Sequence, residues 1–225
     1  MNYLLTSAGI KNKSIHQALL SLLSKPIEEC NALCITTAIY GFENGPKMAY
    51  DFIQGKSETP MCELGWKSLA VLELSALSEI DPNIWQKQMR SADVLLVNGG
   101  DPLFLFYWMN KLNFQSFLPT LNATYVGLSA GSMVITPRIG QDFVNWNPHQ
   151  MSDETLGLVP FSLFPHLDHP SLPDNIMSTA LKWAQDIKIP AYALDDESAI
   201  LVRDKYIEVI SEGQWHPLNT SSSNV

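Results

Sequence analysis

Tyr125-Val126-Gly127-Leu128-Ser129-Ala130-Gly131 is the stretch on which the reading of this chain turns. Tyr125 to Gly127 reads as a strand, a helix can begin at Ala130, and Ser129 stands between them in Gly-x-Ser-x-Gly. To aim a serine Oγ out of the top of a sheet, the backbone must bend sharply from strand to helix. Glycines two residues to either side let neighbouring chain approach without a Cβ clash. The new helix directs its unpaired amides and positive dipole end toward the serine, where an oxyanion would form. A glycine-rich turn whose serine only caps the helix is the competing reading.

Outward from this turn, short apolar runs alternate with helix-length segments. Strands are expected at Tyr3–Thr6, Leu33–Thr36, Ala70–Leu74, Val94–Val97, Tyr125–Gly127, Ala191–Leu194, Ala199–Val202 and Tyr206–Ile210. Helical periodicity covers Ser14–Leu23, Pro46–Ile53, Pro82–Met89, Leu103–Leu112 and Asp174–Asp186, with Ser14 and Asp174 as N-caps. Strands separated by helices require crossovers. The expected fold is therefore α/β, a three-layer sandwich of a mostly parallel sheet with helices on both faces. Val94-Leu95-Leu96-Val97 has no polar alternation, as suits a strand covered on both sides. The last two strands are separated by Arg203-Asp204-Lys205 and read as an antiparallel hairpin. No repeat or linker divides the chain, so residues 1–218 are expected to form a single domain and 219–225 a flexible tail.

Composition narrows the function. The 225 residues are 46% hydrophobic and 16% charged, which supports a sizeable core and excludes a disordered or fibrous chain. A net charge of −9 with no basic run speaks against nucleic acid or an anionic membrane as a partner. No apolar run approaches the ~18 residues of a membrane span, and a cytoplasmic location is expected. Cys30, Cys34 and Cys62 are too few for a disulfide framework and lack zinc spacing; Cys30 and Cys34 read as small core residues.

A serine nucleophile needs a base, and the base needs an orienting acid. Of the five histidines, His16 falls in the first helix and His216 close to the tail. Phe164-Pro165-His166-Leu167-Asp168-His169-Pro170 instead resembles a strand end emptying into a loop at the carboxyl edge of the sheet, where open α/β folds gather their sites. Periodicity does not choose between His166 and His169, and their spacing with Asp168 is poor for a metal. Asp142 lies between nucleophile and base in the chain and is the candidate acid, with Asp153 and Glu154 as rivals. Val97-Asn98-Gly99-Gly100-Asp101-Pro102 follows a buried strand, and its two glycines can expose backbone amides to a ligand. Neither a dinucleotide fingerprint nor a phosphate loop occurs, and no cofactor or metal is expected. Trp146, in the loop Asn145–Met151, is a candidate substrate contact.

These three motifs, Asn98-Gly99-Gly100-Asp101, Gly127-Leu128-Ser129-Ala130-Gly131 and Phe164-Pro165-His166, in that order, resemble the peptidase E (dipeptidase E, cyanophycinase-like) family of serine peptidases. The resemblance extends from the first strand to the final hairpin. It implies the fold of class I glutamine amidotransferases and a Ser–His–acid hydrolase without a cofactor, acting on small peptides. Ser129 matches the nucleophile and His166 the base; Gly100 matches an oxyanion donor, with the Ala130 amide as the second. Asp142 falls near the acidic third member, and Asp101 near the substrate. Serine in place of the amidotransferase cysteine speaks against glutaminase chemistry. The chain departs from the family at Asp101, where Asn is common, and at Ser132, where Ala is common. The family's aspartyl dipeptidases bind the acidic substrate side chain through an arginine downstream of the histidine, and none lies between His169 and Asp186. A carboxylesterase of α/β-hydrolase type and a non-catalytic amidotransferase-like binding module are the alternatives. A homodimer is compatible with the sequence.

Overall fold

A computed structural model describes residues 1–220. Of the tail expected at 219–225, residues 221–225 lie outside the described residues. The elements run β1 (Asn2–Thr6), α1 (Lys13–Leu22), β2 (Asn31–Ile35), α2 (Gly45–Ile53), β3 (Ser68–Val71), α3 (Pro82–Ser91), β4 (Val94–Val97), α4 (Pro102–Lys111), α5 (Phe114–Phe117), β5 (Thr124–Leu128) and α6 (Ala130–Met133). The second part continues β6 (Ser162–Phe164), α7 (Met177–Ile187), β7 (Ala191–Leu194), β8 (Ser198–Arg203), β9 (Tyr206–Ser211) and β10 (Trp215–Leu218).

The main sheet has seven strands in the order β3-β2-β4-β5-β1-β8-β9. Its first five are parallel, and β8 and β9 are antiparallel, so the expected C-terminal hairpin is present. Alternation along each strand sorts side chains to opposite faces. Tyr3, Leu5, Leu33, Ile35, Leu95, Val97 and Tyr125 enter one core with Trp85 and Met89 of α3 and Leu105 and Met109 of α4. Leu4, Ala32, Cys34, Val94, Leu96 and Val126 enter a second core with Ile15, Leu19 and Leu22 of α1 and Phe52 of α2. That division is the three-layer α/β architecture expected from the sequence. All four residues of β4 are buried, as its unbroken apolar run requires.

The structure also contains a second, three-stranded sheet, β10-β7-β6, which the sequence does not announce. Helix α7 covers it through Ala180, Trp183, Ala184 and Ile187. Two caps differ from expectation. The α1 N-cap is Asn12, whose Oδ1 accepts from Ile15 N at 2.9 Å, rather than Ser14. Helix α7 begins at Met177 with no side-chain cap, rather than at Asp174. The three cysteines are free and buried.

Candidate active site

Strands β4 and β5 are parallel neighbours with Val97 opposite Gly127, so the turns that follow them stand side by side at one sheet edge. This register places Gly99 and Gly100 beside Ser129. Ser129 adopts φ 49°, ψ −111°, a conformation L-residues rarely hold, and the strain is what lifts its side chain out of the turn. The flanking glycines are required by close approach. A Cβ on Gly127 would lie 2.7 Å from Gly131 O, and one on Gly131 would lie 2.2 Å from Val97 O.

His166 reaches this serine from the other sheet. Its Nε2 lies 2.9 Å from Ser129 Oγ, across 37 residues of chain. His169, the alternative, does not approach the serine; its Nε2 is 3.5 Å from Asp196 Oδ2. Thr6 at the end of β1 and Ser7 just after it tie the two sheets together here. Ser129 N donates to Thr6 O at 3.1 Å, and Thr6 Oγ1 donates to Gly127 O at 2.7 Å. The next residue, Ser7, accepts from His166 N at 2.8 Å and donates to Leu194 O, the end of β7, at 3.4 Å. Ser132, a departure from the family pattern, joins the same arrangement by donating from Oγ to Thr6 O at 2.8 Å.

The acid on the imidazole is not Asp142. That residue sits exposed in the 3-10 turn Gln141–Phe143, whereas His166 Nδ1 lies 2.7 Å from Asp196 Oδ1. Physically, β6 pairs in parallel with β7, Phe164 opposite Ala193, so the loops leaving both strands emerge together and bring Asp196 to His166. Asp153 is buried but engaged by Arg138 Nε and Nη2 at 3.0–3.2 Å, and Glu154 is exposed on the bridge with Arg138. Burial works to raise the Asp196 carboxyl. The His166 hydrogen bond, with charge from His166, Lys11 and His169, outweighs it and holds the group below its ordinary value. The chain signal that could have found Asp196 is its place just after the expected strand Ala191–Leu194, the same rule that singled out His166.

Gly100 holds φ +137°, and a Cβ there would lie 2.4 Å from Ala38 O. The neighbouring Gly99 N–H is taken by Asn98 Oδ1 at 2.7 Å. The amides of Gly100 and Ala130 donate to no backbone acceptor among the described residues.

Asp101 and Trp146 do not line the cavity at Ser129, contrary to the substrate contact expected of them. Asp101 is 1% exposed and both its oxygens are occupied. Oδ1 accepts from Phe104 N at 2.9 Å as the α4 N-cap, and Oδ2 accepts from Trp146 N at 2.9 Å. Burial pushes its carboxyl up against the lowering effect of these amides. The Trp146 ring packs edge-on against Phe104, 5.0 Å between centroids, and near Tyr107 and His149.

Ser129, His166, Gly99 and Gly100 open onto a cavity of about 520 Å³, within the range of small-molecule sites. No helix among the described residues is long and apolar enough to cross a membrane. No curated protein sequence matches the chain. Among solved structures it is similar to a protein assigned as a peptidase E from Listeria monocytogenes EGD-e (21% identity, 94% of this chain and 98% of that one, TM-score 0.65). It is also similar to a peptidase from an acI-B1 Actinobacterium (19% identity, 96% and 90%, TM-score 0.69). At these identities the likeness establishes the fold, the amidotransferase-like α/β sandwich. The model of peptidase family S51 matches residues 4–210, so that the site described above lies wholly within the match and the chain belongs to that family, the peptidase E family of serine-type peptidases.

Proposed function

We propose that this protein hydrolyses small peptides through a Ser129–His166–Asp196 triad and an acyl-enzyme. The single observation that carries the reading is the continuous hydrogen-bonded chain from Ser129 Oγ through both ring nitrogens of His166 to Asp196 Oδ1, at 2.9 and 2.7 Å. His166 Nε2 accepts the serine proton as Oγ attacks the scissile carbonyl. Asp196 fixes the tautomer with the remaining proton on Nδ1 and stabilises the imidazolium that forms. The Gly100 and Ala130 amides receive the developing oxyanion. The imidazolium then protonates the leaving amine, and water, deprotonated by the same nitrogen, releases the acyl group.

The test needs no knowledge of the natural substrate. A fluorophosphonate probe is expected to label the wild type and to leave Ser129→Ala unlabelled, and that variant should lose about 10⁴-fold or more in kcat on any peptide the enzyme cleaves. Equal labelling of the two proteins would refute the nucleophile. No specific observation favours the esterase or the non-catalytic binding reading.

A further inference from the structure

We infer that the cavity at Ser129 receives an uncharged, apolar side chain on the substrate residue whose carbonyl the serine attacks. The inference rests on the peptidase reading above and adds a substrate class to it. The walls are Ile39, Phe42, Met48, Phe52, Leu128 and Leu172, drawn from the turn after β2, from α2 and its approach, from the end of β5 and from the loop beyond His166. Removing a side chain of leucine or phenylalanine size from water against such walls is favourable, whereas a carboxylate or ammonium there requires a counter-charge.

No guanidinium is available to supply one for an acidic group. The sequence holds three arginines, Arg90, Arg138 and Arg203. Arg138 is paired with Asp153, Arg90 lies over the Phe117 ring at 5.0 Å, and Arg203 donates to Ser21 O at 2.8 Å. Among the described residues lining the cavity the one cation is Lys56, whose Nζ sits 5.4 Å from the centroid of the exposed Tyr50 ring. The one carboxylate is Asp51, already paired with Lys47 Nζ at 2.5 Å. A basic side chain would meet a carboxylate that is already paired, and an acidic one would meet no guanidinium, only the exposed ammonium of Lys56, which water screens.

A second observation concerns the polar part of the same wall. Asn98 lines the cavity, is 3% exposed, and its Oδ1 is occupied by Gly99 N–H. Its Nδ2 is buried and has no hydrogen-bond partner among the described residues. An orphaned donor of this kind is expensive to leave unmade. The two side-chain N–H groups of Asn98 are neutral and supply no counter-charge to an ionised side chain.

The experiment uses diphenyl aminoalkylphosphonates, which react with serine nucleophiles, bearing isobutyl, benzyl, carboxymethyl or aminobutyl side chains. The isobutyl and benzyl compounds are expected to inactivate the wild type about 100-fold faster than the two charged ones. Carboxymethyl or aminobutyl reacting as fast or faster, in a protein that the plain fluorophosphonate still labels at Ser129, overturns the specificity and leaves the triad standing. Absence of labelling by the fluorophosphonate overturns both. Leu172→Arg, which adds a guanidinium at the wall, should raise the carboxymethyl-to-isobutyl rate ratio by at least about tenfold. A ratio taken on one sample is independent of how much of the variant folds, and an unchanged ratio counts against Leu172 as a wall of the side-chain site.

Discussion

Asp195 and Asp196 are adjacent carboxylates with unrelated duties. Asp195 Oδ1 accepts from Glu197 N and Ser198 Oγ and Oδ2 from Gln214 N, so it builds the turn between β7 and β8. Asp196 alone faces His166. Replacing Asp196 by Asn should lower kcat about 10³- to 10⁴-fold by favouring the wrong imidazole tautomer, while Asp142→Asn should remain within about twofold of wild type. Steady-state kinetics on both variants checks the assignment, and the reverse outcome would restore Asp142. Because the folded Asp196 carboxyl titrates below its ordinary value of 3.8, its favourable interactions are present above about pH 4 and are lost as pH falls through the lowered value. Urea midpoints between pH 5 and 3 should fall less steeply for Asp196→Asn than for wild type. A single methyl at Gly131 is predicted to be worse than any gain in helix propensity. Gly131→Ala drives Cβ into the Val97 carbonyl and should destabilise by about 2 kcal/mol or more, read from the same urea titration.

At the scale of elements, β1, β2, β4 and β5 were legible from their apolar runs and α1, α2, α3 and α7 from a 3.6-residue stripe, whereas β3, expected at Ala70–Leu74, lies at Ser68–Val71. The second sheet was not legible. Strand β6 has three residues, Ser162–Phe164, too few to display a period, and β10 reads Trp215-His216-Pro217-Leu218. A proline is tolerated there only because β10 is an edge strand, a fact the sequence does not contain. Missing that sheet hid the acid as well. Ser129 and His166 could be located from their own strand ends, but Asp196 meets His166 only through the β6–β7 pairing, and choosing by chain order led to Asp142. The α4 cap offers a test of another kind. Asp101→Ala leaves the amides of Phe104 and Trp146 unpartnered and should cost about 1–3 kcal/mol. Asp101→Asn keeps the cap oxygen for Phe104 and loses only the Trp146 tether, so its urea midpoint should lie between those of wild type and the alanine variant.

On the scale of the whole molecule, nucleophile and base belong to different sheets, and Thr6 and Ser7 bridge the two at the site. Thr6 holds the serine turn, while Ser7 holds the backbone of His166 and the end of β7. Ser7→Ala removes the acceptor for His166 N and should lower kcat more than it raises KM, since the imidazole loses its anchor while the cavity walls stay in place.

A keystone shared by two arches fails before either arch does. Warming the enzyme should therefore silence turnover at a temperature below the one at which circular dichroism reports loss of strand and helix, the imidazole drifting out of reach while both layers of backbone remain intact. Parallel scans of residual rate and ellipticity would reveal the gap, and coincident curves would mean that the joint is as strong as the masonry.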